Sequence, residues 1–248
     1  MTTPDLIFAD WPAVARVKAC CTLRKPNFNQ PVWQEFNLAT HTGDNPENVL
    51  ANRQCLQQHL KTDLCFLQQV HGNRCVTVNG VSNPPESADA CVTWKTRLAC
   101  VVLTADCLPV LFSDLAGQVV AAAHAGWRGL LSGVLENTVT QMQTPAHQLL
   151  VWLAPAIGKK NYQVGNDVHD AFLSHDPTAE EAFTNSQPHG QKWTCDLYLL
   201  ARQKLQKLGV NSIYGGEYCT YDYADIFFSY RRDGPQTGRF ASLIWLQD

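Results

Sequence analysis

The chain has no C-x-x-C pair, no H-x-H pair and no H-x-E segment. Without C-x-x-C, a structural zinc ribbon and a thioredoxin-type redox site lose their main signature. A multicopper cluster gathers many imidazoles, commonly from paired H-x-H segments. Eight histidines, no two of them two apart, exclude a full cluster of that kind. The missing H-x-E removes the signature of the zinc nucleobase deaminases. Basic excess is also lacking. The formal net charge is −3, and the pairs Arg231-Arg232 and Lys159-Lys160 are too short to make a nucleic-acid or anionic-membrane footprint. The most apolar windows are broken by Asp106, Pro109 and His124, so no membrane span is expected. Met1-Thr2-Thr3-Pro4-Asp5 lacks a basic stretch followed by an apolar run, which predicts a cytoplasmic protein with no signal peptide. No Pro/Gly/Ser-rich linker, charge block or internal repeat divides residues 1–248, so one catalytic domain is expected.

What is present is ordinary globular material. The hydrophobic fraction of 45% suffices for a sizeable core. Ten cysteines are scattered, several inside apolar runs where reduced Cys acts as a small hydrophobe, so an all-reduced chain is predicted. Asn45-Pro46-Glu47 announces a helix running to about His59. Leu64 to Val70 and Arg74 to Val78 read as strands about a His71-Gly72-Asn73 turn. Leu98 to Thr104, Leu108 to Phe112, Gln118 to Ala123 and Leu149 to Leu153 read as buried strands, the third packed closely on both faces because its residues are small. After Gly126 a helix is expected with Leu131, Leu135, Val139 and Met142 on one stripe. A second is expected at Asn166 to Leu173, and a third from an Asp196 cap to Gly209. Phe227 to Tyr230 and Phe240 to Trp245 close the chain as strands. Intermingled strands and helices predict an α/β (α+β) fold with a β core, two packed mixed sheets, and helices outside.

Three segments bring chemistry to strand ends, where rigid scaffolds present functional groups. They centre on His71, Cys107 and His124. Two imidazoles and one thiolate suit Zn²⁺ and are acceptable to Cu²⁺. Three protein ligands leave a fourth position open, as in catalytic rather than structural zinc sites. The three are far apart in the chain and form no local motif, so each also reads as a core residue. Asp106 reads either as an acceptor for one of the histidines or as a turn cap. Trp127 reads as a pocket wall or as core cover; Arg128 and Arg231 read as anion grips or as solvated arginines.

Longer signatures add to this. His71-Gly72, Thr104-Ala105-Asp106-Cys107-Leu108-Pro109-Val110 and His124-Ala125-Gly126-Trp127-Arg128-Gly129 resemble the three signatures of the YfiH-type family. That family is also called laccase-domain or multicopper polyphenol oxidoreductase, and is described as purine nucleoside phosphorylases. The resemblance continues through Ala154-Pro155-Ala156-Ile157-Gly158, Tyr162-Gln163-Val164-Gly165, Cys219-Thr220, Phe227 to Asp233 and Thr237-Gly238-Arg239. It implies a YfiH-like fold, similar to that of Cys–His deamidating toxins of the cytotoxic-necrotizing-factor type. It implies metal ligation by His71, Cys107 and His124. The implied activities are phosphorolysis of adenosine, inosine and S-methyl-5′-thioadenosine, adenosine deamination at the same site, and copper-dependent oxidation of phenols. The family's Thr-Arg-x-Gly-Gly-Val-Ser is replaced here by Thr22-Leu23-Arg24-Lys25-Pro26-Asn27-Phe28-Asn29. Arg24 is kept, but the glycine pair that permits close backbone approach is absent.

The expectation is therefore a zinc-dependent phosphorylase with His71, Cys107 and His124 at the reacting centre and Arg24, Asn37 and Arg231 on the substrate. Arg24 and Arg231 are the anion candidates, because a guanidinium fork matches phosphate oxygens. Its partners are a nucleoside and phosphate, with the chain a monomer or weak homo-oligomer. Two alternatives remain: a copper-dependent polyphenol oxidase, and a metal-free hydrolase in which Cys107 is the nucleophile and His71 or His124 its base.

Overall fold

The computed structural model describes residues 4–24, 36–186 and 192–248. In chain order come β1 (Leu6–Phe8), β2 (Val17–Thr22), α1 (Pro46–Leu60), β3 (Asp63–Cys65), β4 (Cys75–Thr77) and β5 (Ala90–Thr93). Then β6 (Leu98–Thr104), β7 (Leu108–Asp114) and β8 (Val120–Ala125) are followed by α2 (Trp127–Ser132), α3 (Val134–Gln141) and β9 (Leu149–Leu153). β10 (Gln163–Gly165), α4 (Asn166–His175), β11 (Phe183–Asn185), β12 (Lys192–Cys195), α5 (Leu197–Lys207) and β13 (Ser212–Gly215) lead to α6 (Tyr230–Asp233) and β14 (Phe240–Leu246). Lys25 to Asn29, where the family's glycine pair is replaced, lie outside the described residues.

Two mixed sheets pack face to face. One has the order β1-β2-β14-β6-β3 and the other β13-β9-β7-β8-β5-β4. Between them lies a core to which Ala19, Cys100, Val102 and Ile244 contribute from the first sheet and Cys91, Leu111, Ala122 and Trp152 from the second. The outer face of the first sheet is covered by α1 through Leu56, beside Leu38. The outer face of the second is covered by α2 to α5. A small antiparallel sheet, β10-β12-β11, stands beside α4. The layers follow from the sequence. Strands buried on both faces need continuous apolar runs, and β6, β7, β8, β9 and β14 have every residue buried. The alanines of β8 let helices approach on one side and the partner sheet on the other.

Three expected elements differ. Residues 64–70 and 74–78 do not form a hairpin: β3 and β4 are three residues each, and each pairs in parallel in a different sheet, β3 with β6 and β4 with β5. Their alternation reflects burial beside two separate sheets, not pairing with each other. The helix after Gly126 breaks at Gly133, whose φ of +96° is in the left-handed region. The buried stripe accordingly becomes Leu130, Val134, Leu135, Thr138 and Met142, with Leu131 and Val139 only partly buried. Phe227 to Tyr230 is not a strand. Phe227 and Phe228 both plug the inter-sheet core, and Ser229 caps the single turn of α6 by accepting from the Arg232 N–H. Two adjacent phenylalanines buried on the same side break the alternation that a strand requires.

Candidate metal centre

Register brings the donors together. β7 and β8 pair so that Leu108 opposes Ala125, which sets Cys107 opposite Gly126. β5 and β8 pair so that Ala90 opposes Ala123, which sets Asp89 beside His124; the His124 N–H donates to the Asp89 carbonyl at 2.7 Å. His71 arrives from the loop between β3 and β4 with a φ of +59°, and Asp106 precedes Cys107 with a φ of +95°. Such left-handed conformations at non-glycine residues gather at functional sites because surrounding contacts must hold them.

Those contacts are present. The Asp89 carboxylate accepts from the N–H groups of Val70 at 3.2 Å, His71 at 2.9 Å and Gly72 at 2.7 Å. It also lies 2.8 Å from His124 Nδ1, so one buried carboxylate orients two of the three donors. Asp106 accepts from Thr220 Oγ1 and from the Arg231 N–H, both at 2.6 Å, and no histidine among the described residues hydrogen-bonds to it. The acceptor role open to Asp106 belongs to Asp89, and Asp106 instead pins the 220 and 231 loops behind Cys107. Asp89 was signalled in the sequence only as a lone acid inside the apolar run Ala88 to Val92.

His71, Cys107 and His124 offer one donor atom each, all within 4.8 Å of one another; His71 is exposed, Cys107 partly buried and His124 buried. The two imidazoles meet edge to face with centroids 4.8 Å apart. Gly126 leaves room for the sulfur: a Cβ there would lie 2.9 Å from Cys107 Sγ. Burial alone would push the Cys107 thiol up, but His124 and then His71 bring it down to about 6. Burial opposes charge on His124, yet the Cys107 thiolate and the Asp89 carboxylate raise it to about 9. The donor chemistry fits a divalent ion. Bonds to Zn²⁺ of about 2.0–2.3 Å put tetrahedral donors roughly 3.5 Å apart, so side-chain adjustment of about an ångström closes the set. Asp89 on His124 Nδ1 leaves Nε2 for the metal, the carboxylate–histidine arrangement common at such centres.

The other expected residues separate. Arg231 lies at the centre's edge: its N–H is tied to Asp106, its Nη1 donates to the Gln163 carbonyl at 2.9 Å, and its guanidinium lies 5.3 Å over Tyr162. Burial and then the nearby Cys107 thiolate push the Tyr162 hydroxyl up. Arg24 donates to Asp233 at 3.1 Å and to the Ala224 carbonyl. Asn37 is buried, its amide donating to Ala39 O, Thr42 and Asp44 while its carbonyl accepts from Ala39 N and Arg239 N. With every such group engaged, Asn37 shapes the 37–44 loop and has nothing left for a substrate. Trp127 packs against the helix-side core, with Arg128 4.3 Å over its ring. Two residues absent from the expected set sit near the donors. Arg239 lies within electrostatic reach of Cys107, and exposed His41 within reach of His71.

Comparisons with known proteins each span nearly the whole chain. A family model described as multi-copper polyphenol oxidoreductase laccase matches residues 18–247. The chain is similar to purine nucleoside phosphorylase YfiH of Escherichia coli, 45% identical over 243 residues that cover 97% of this chain and 98% of that one. It is also similar to a purine nucleoside phosphorylase of Haemophilus influenzae, 42% identical over 96% of this chain and 98% of that one. The crystal structure of a Neisseria meningitidis protein superposes with a TM-score of 0.94 at 47% identity, covering 98% of this chain and 99% of that chain.

Proposed function

This chain belongs to the multi-copper polyphenol oxidoreductase laccase family, and from that premise we propose that it is a metal-dependent purine nucleoside phosphorylase. Its substrates are adenosine, inosine and S-methyl-5′-thioadenosine, and it deaminates adenosine at the same centre. The observation that carries this reading is the His71, Cys107 and His124 donor set, oriented by Asp89 and open on the side of His71. Zinc held by these three side chains, with copper as a competitor for the same donors, supplies Lewis acidity beside the substrate.

In phosphorolysis a phosphate oxygen forms the bond to C1′ as C1′–N9 breaks. The electron pair leaves with the purine, which takes up the proton shed by hydrogen phosphate. The chain's part is to bind and orient. Asp89 holds His124 and the His71 loop at fixed positions, and Asp106 holds Cys107 and Arg231 together. Tyr162 with Arg231 over its ring forms a flat wall suited to a purine, since aromatic and guanidinium planes stack on bases.

A second reading has one specific observation behind it. Cys107 and His124 form a thiolate–imidazolium pair, the arrangement of cysteine nucleophiles. The oxidase reading has less support, because among the described residues only one group of His, Cys, Asp or Glu is disposed to hold a metal. The decisive experiment is metal quantification on protein purified without chelator, then adenosine turnover with and without phosphate. The expected result is about one zinc per chain and phosphate-dependent release of adenine and ribose 1-phosphate, abolished by chelation. Full turnover at verified zero metal would favour the cysteine reading.

A further inference from the structure

β3 leaves the first sheet early. It pairs with β6 only over Asp63–Cys65, opposite Leu98 to Cys100, although β6 runs on to Thr104. Residues 66–72 cross instead towards the second sheet. The Gln68 N–H donates to the Glu86 carbonyl at 2.8 Å, the Ala88 N–H donates to the Gln68 carbonyl at 3.2 Å, and the His71 N–H reaches Asp89. Beyond Cys100, the edge of β6 that faced β3 has no strand beside it among the described residues.

The buried backbone of Leu103 on that edge still needs partners, since an unpaired N–H or C=O away from water is costly. The Gln69 side chain supplies both. The Leu103 N–H donates to Gln69 Oε1 at 2.7 Å, and Gln69 Nε2 donates to the Leu103 carbonyl at 2.9 Å. One primary amide thus reproduces the double exchange that two residues make in an antiparallel ladder. It stands in for the strand residue that β3 no longer provides.

Each end of this bridge leads to a metal donor. Gln69 lies two residues before His71, and Leu103 lies four before Cys107, which begins the crossing from β6 in the first sheet to β7 in the second. Asp89 fixes the His71 loop against His124, through the N–H groups of residues 70–72 and the β5–β8 register. The Gln69 amide adds the tie to β6, on the Cys107 side. His71 needs such ties because it is exposed and left-handed, so neither burial nor its own backbone preference holds it in place.

We propose that Gln69 is a positioning residue: by replacing a strand residue beside Leu103, its amide sets where His71 stands relative to Cys107 and His124. It thereby governs how closely the three donors converge on a metal ion. The role in metal binding rests on the reading of these side chains as ligands, and the experiment separates the two.

The experiment uses full-length protein and the variants Gln69→Met and Gln203→Met. Methionine keeps the length of Gln69 and removes both bonds. Gln203 also bridges with its amide, to the Thr178 carbonyl and Glu181, but on the far helices, so its variant should match the parent. Competition with a chromophoric chelator should give Gln69→Met a zinc Kd about ten- to a hundredfold higher, the range for residues that orient metal ligands. Cobalt substituted for zinc should show visible bands altered in position and intensity, a change in coordination geometry that a general loss of stability does not produce. In metal-free protein, nuclear Overhauser contacts from the His71 ring to the His124 ring, whose centroids lie 4.8 Å apart, and to the Cys107 β-protons should weaken. If Gln69→Met does not fold, Gln69→Glu keeps the acceptor for the Leu103 N–H, loses only the donor, and should shift the same readouts in the same direction. Unchanged zinc affinity, cobalt spectrum and ring contacts in a folded Gln69 variant, whatever its melting temperature, overturn the proposal. A parent protein that binds no zinc rejects the ligand reading; the metal-free contacts then decide Gln69, weakened ones upholding its hold on His71 and retained ones overturning it.

Discussion

The Asp89 carboxylate lies 2.8 Å from His124 Nδ1 while also accepting the backbone N–H groups of residues 70–72. A single side chain with no exposed surface thus sets the ring orientation of one donor and the loop position of another. Burial opposes its ionisation, but His124 and the N–H of Gly72 and Val70 outweigh that and hold its carboxyl below the usual range.

Asp89→Asn keeps the shape but loses the negative charge and one acceptor. Zinc affinity should fall about ten- to a hundredfold, the range for partners of metal-bound histidines. Competition with a chromophoric chelator measures it. Unchanged affinity would reduce Asp89 to a folding residue.

Gly126→Ala places a methyl 2.9 Å from Cys107 Sγ without backbone strain, since Gly126 has a φ of −67°. The thiol must shift, so zinc affinity should drop at least about tenfold, the cost of disturbing one ligand's setting. The melting temperature of the metal-free protein should change little. A large loss of stability with unaltered zinc binding would count against the close approach.

Metal affinity should rise with pH in two regimes. Binding needs Cys107 as thiolate and His124 neutral, whereas the metal-free pair has Cys107 at about 6 and His124 at about 9. Between those values one proton leaves His124 on binding, so affinity should gain about tenfold per pH unit, and about a hundredfold per unit below the Cys107 value. Above about 9 these two groups add no further gain. Proton release measured in buffers of different ionisation enthalpy checks the count.

Alkylation separates ligand from nucleophile. A thiolate bound to metal should resist iodoacetamide until chelation, after which Cys107 should react fastest of the ten cysteines, as five of the buried ones, Cys20, Cys21, Cys65, Cys91 and Cys195, are pushed up by their surroundings. Immediate inactivation of zinc-replete protein with stoichiometric Cys107 labelling would point to the cysteine mechanism.

Arg231→Ala opens the wall made with Tyr162. The adenosine KM should rise about tenfold in both phosphorolysis and deamination, because the wall serves both. A selective rise in phosphate KM would instead make Arg231 an anion ligand.

Some of this was legible along the chain. The α1 cap at Asn45, the α5 cap at Asp196 and the apolar strands β6 and β9 are local patterns, and each lies where the sequence placed it. The segment Phe227 to Tyr230 misled because aromatic residues favour strands, while burial of adjacent rings in one core decided otherwise.

Side-chain type, strand-forming runs and helix caps are properties of neighbouring residues, and the sequence alone determined them: an α/β fold with a β core, and His71, Cys107 and His124 as candidate donors at strand ends. Which residues meet is different. Asp89 reaches His124 through the β5–β8 register, Cys107 meets Gly126 through the β7–β8 register, and Asp106 takes the Arg231 N–H from 125 residues along the chain. Only the tertiary structure decided these pairings, because strand register and loop closure are fixed by the collective burial of two sheets and not by any local stretch.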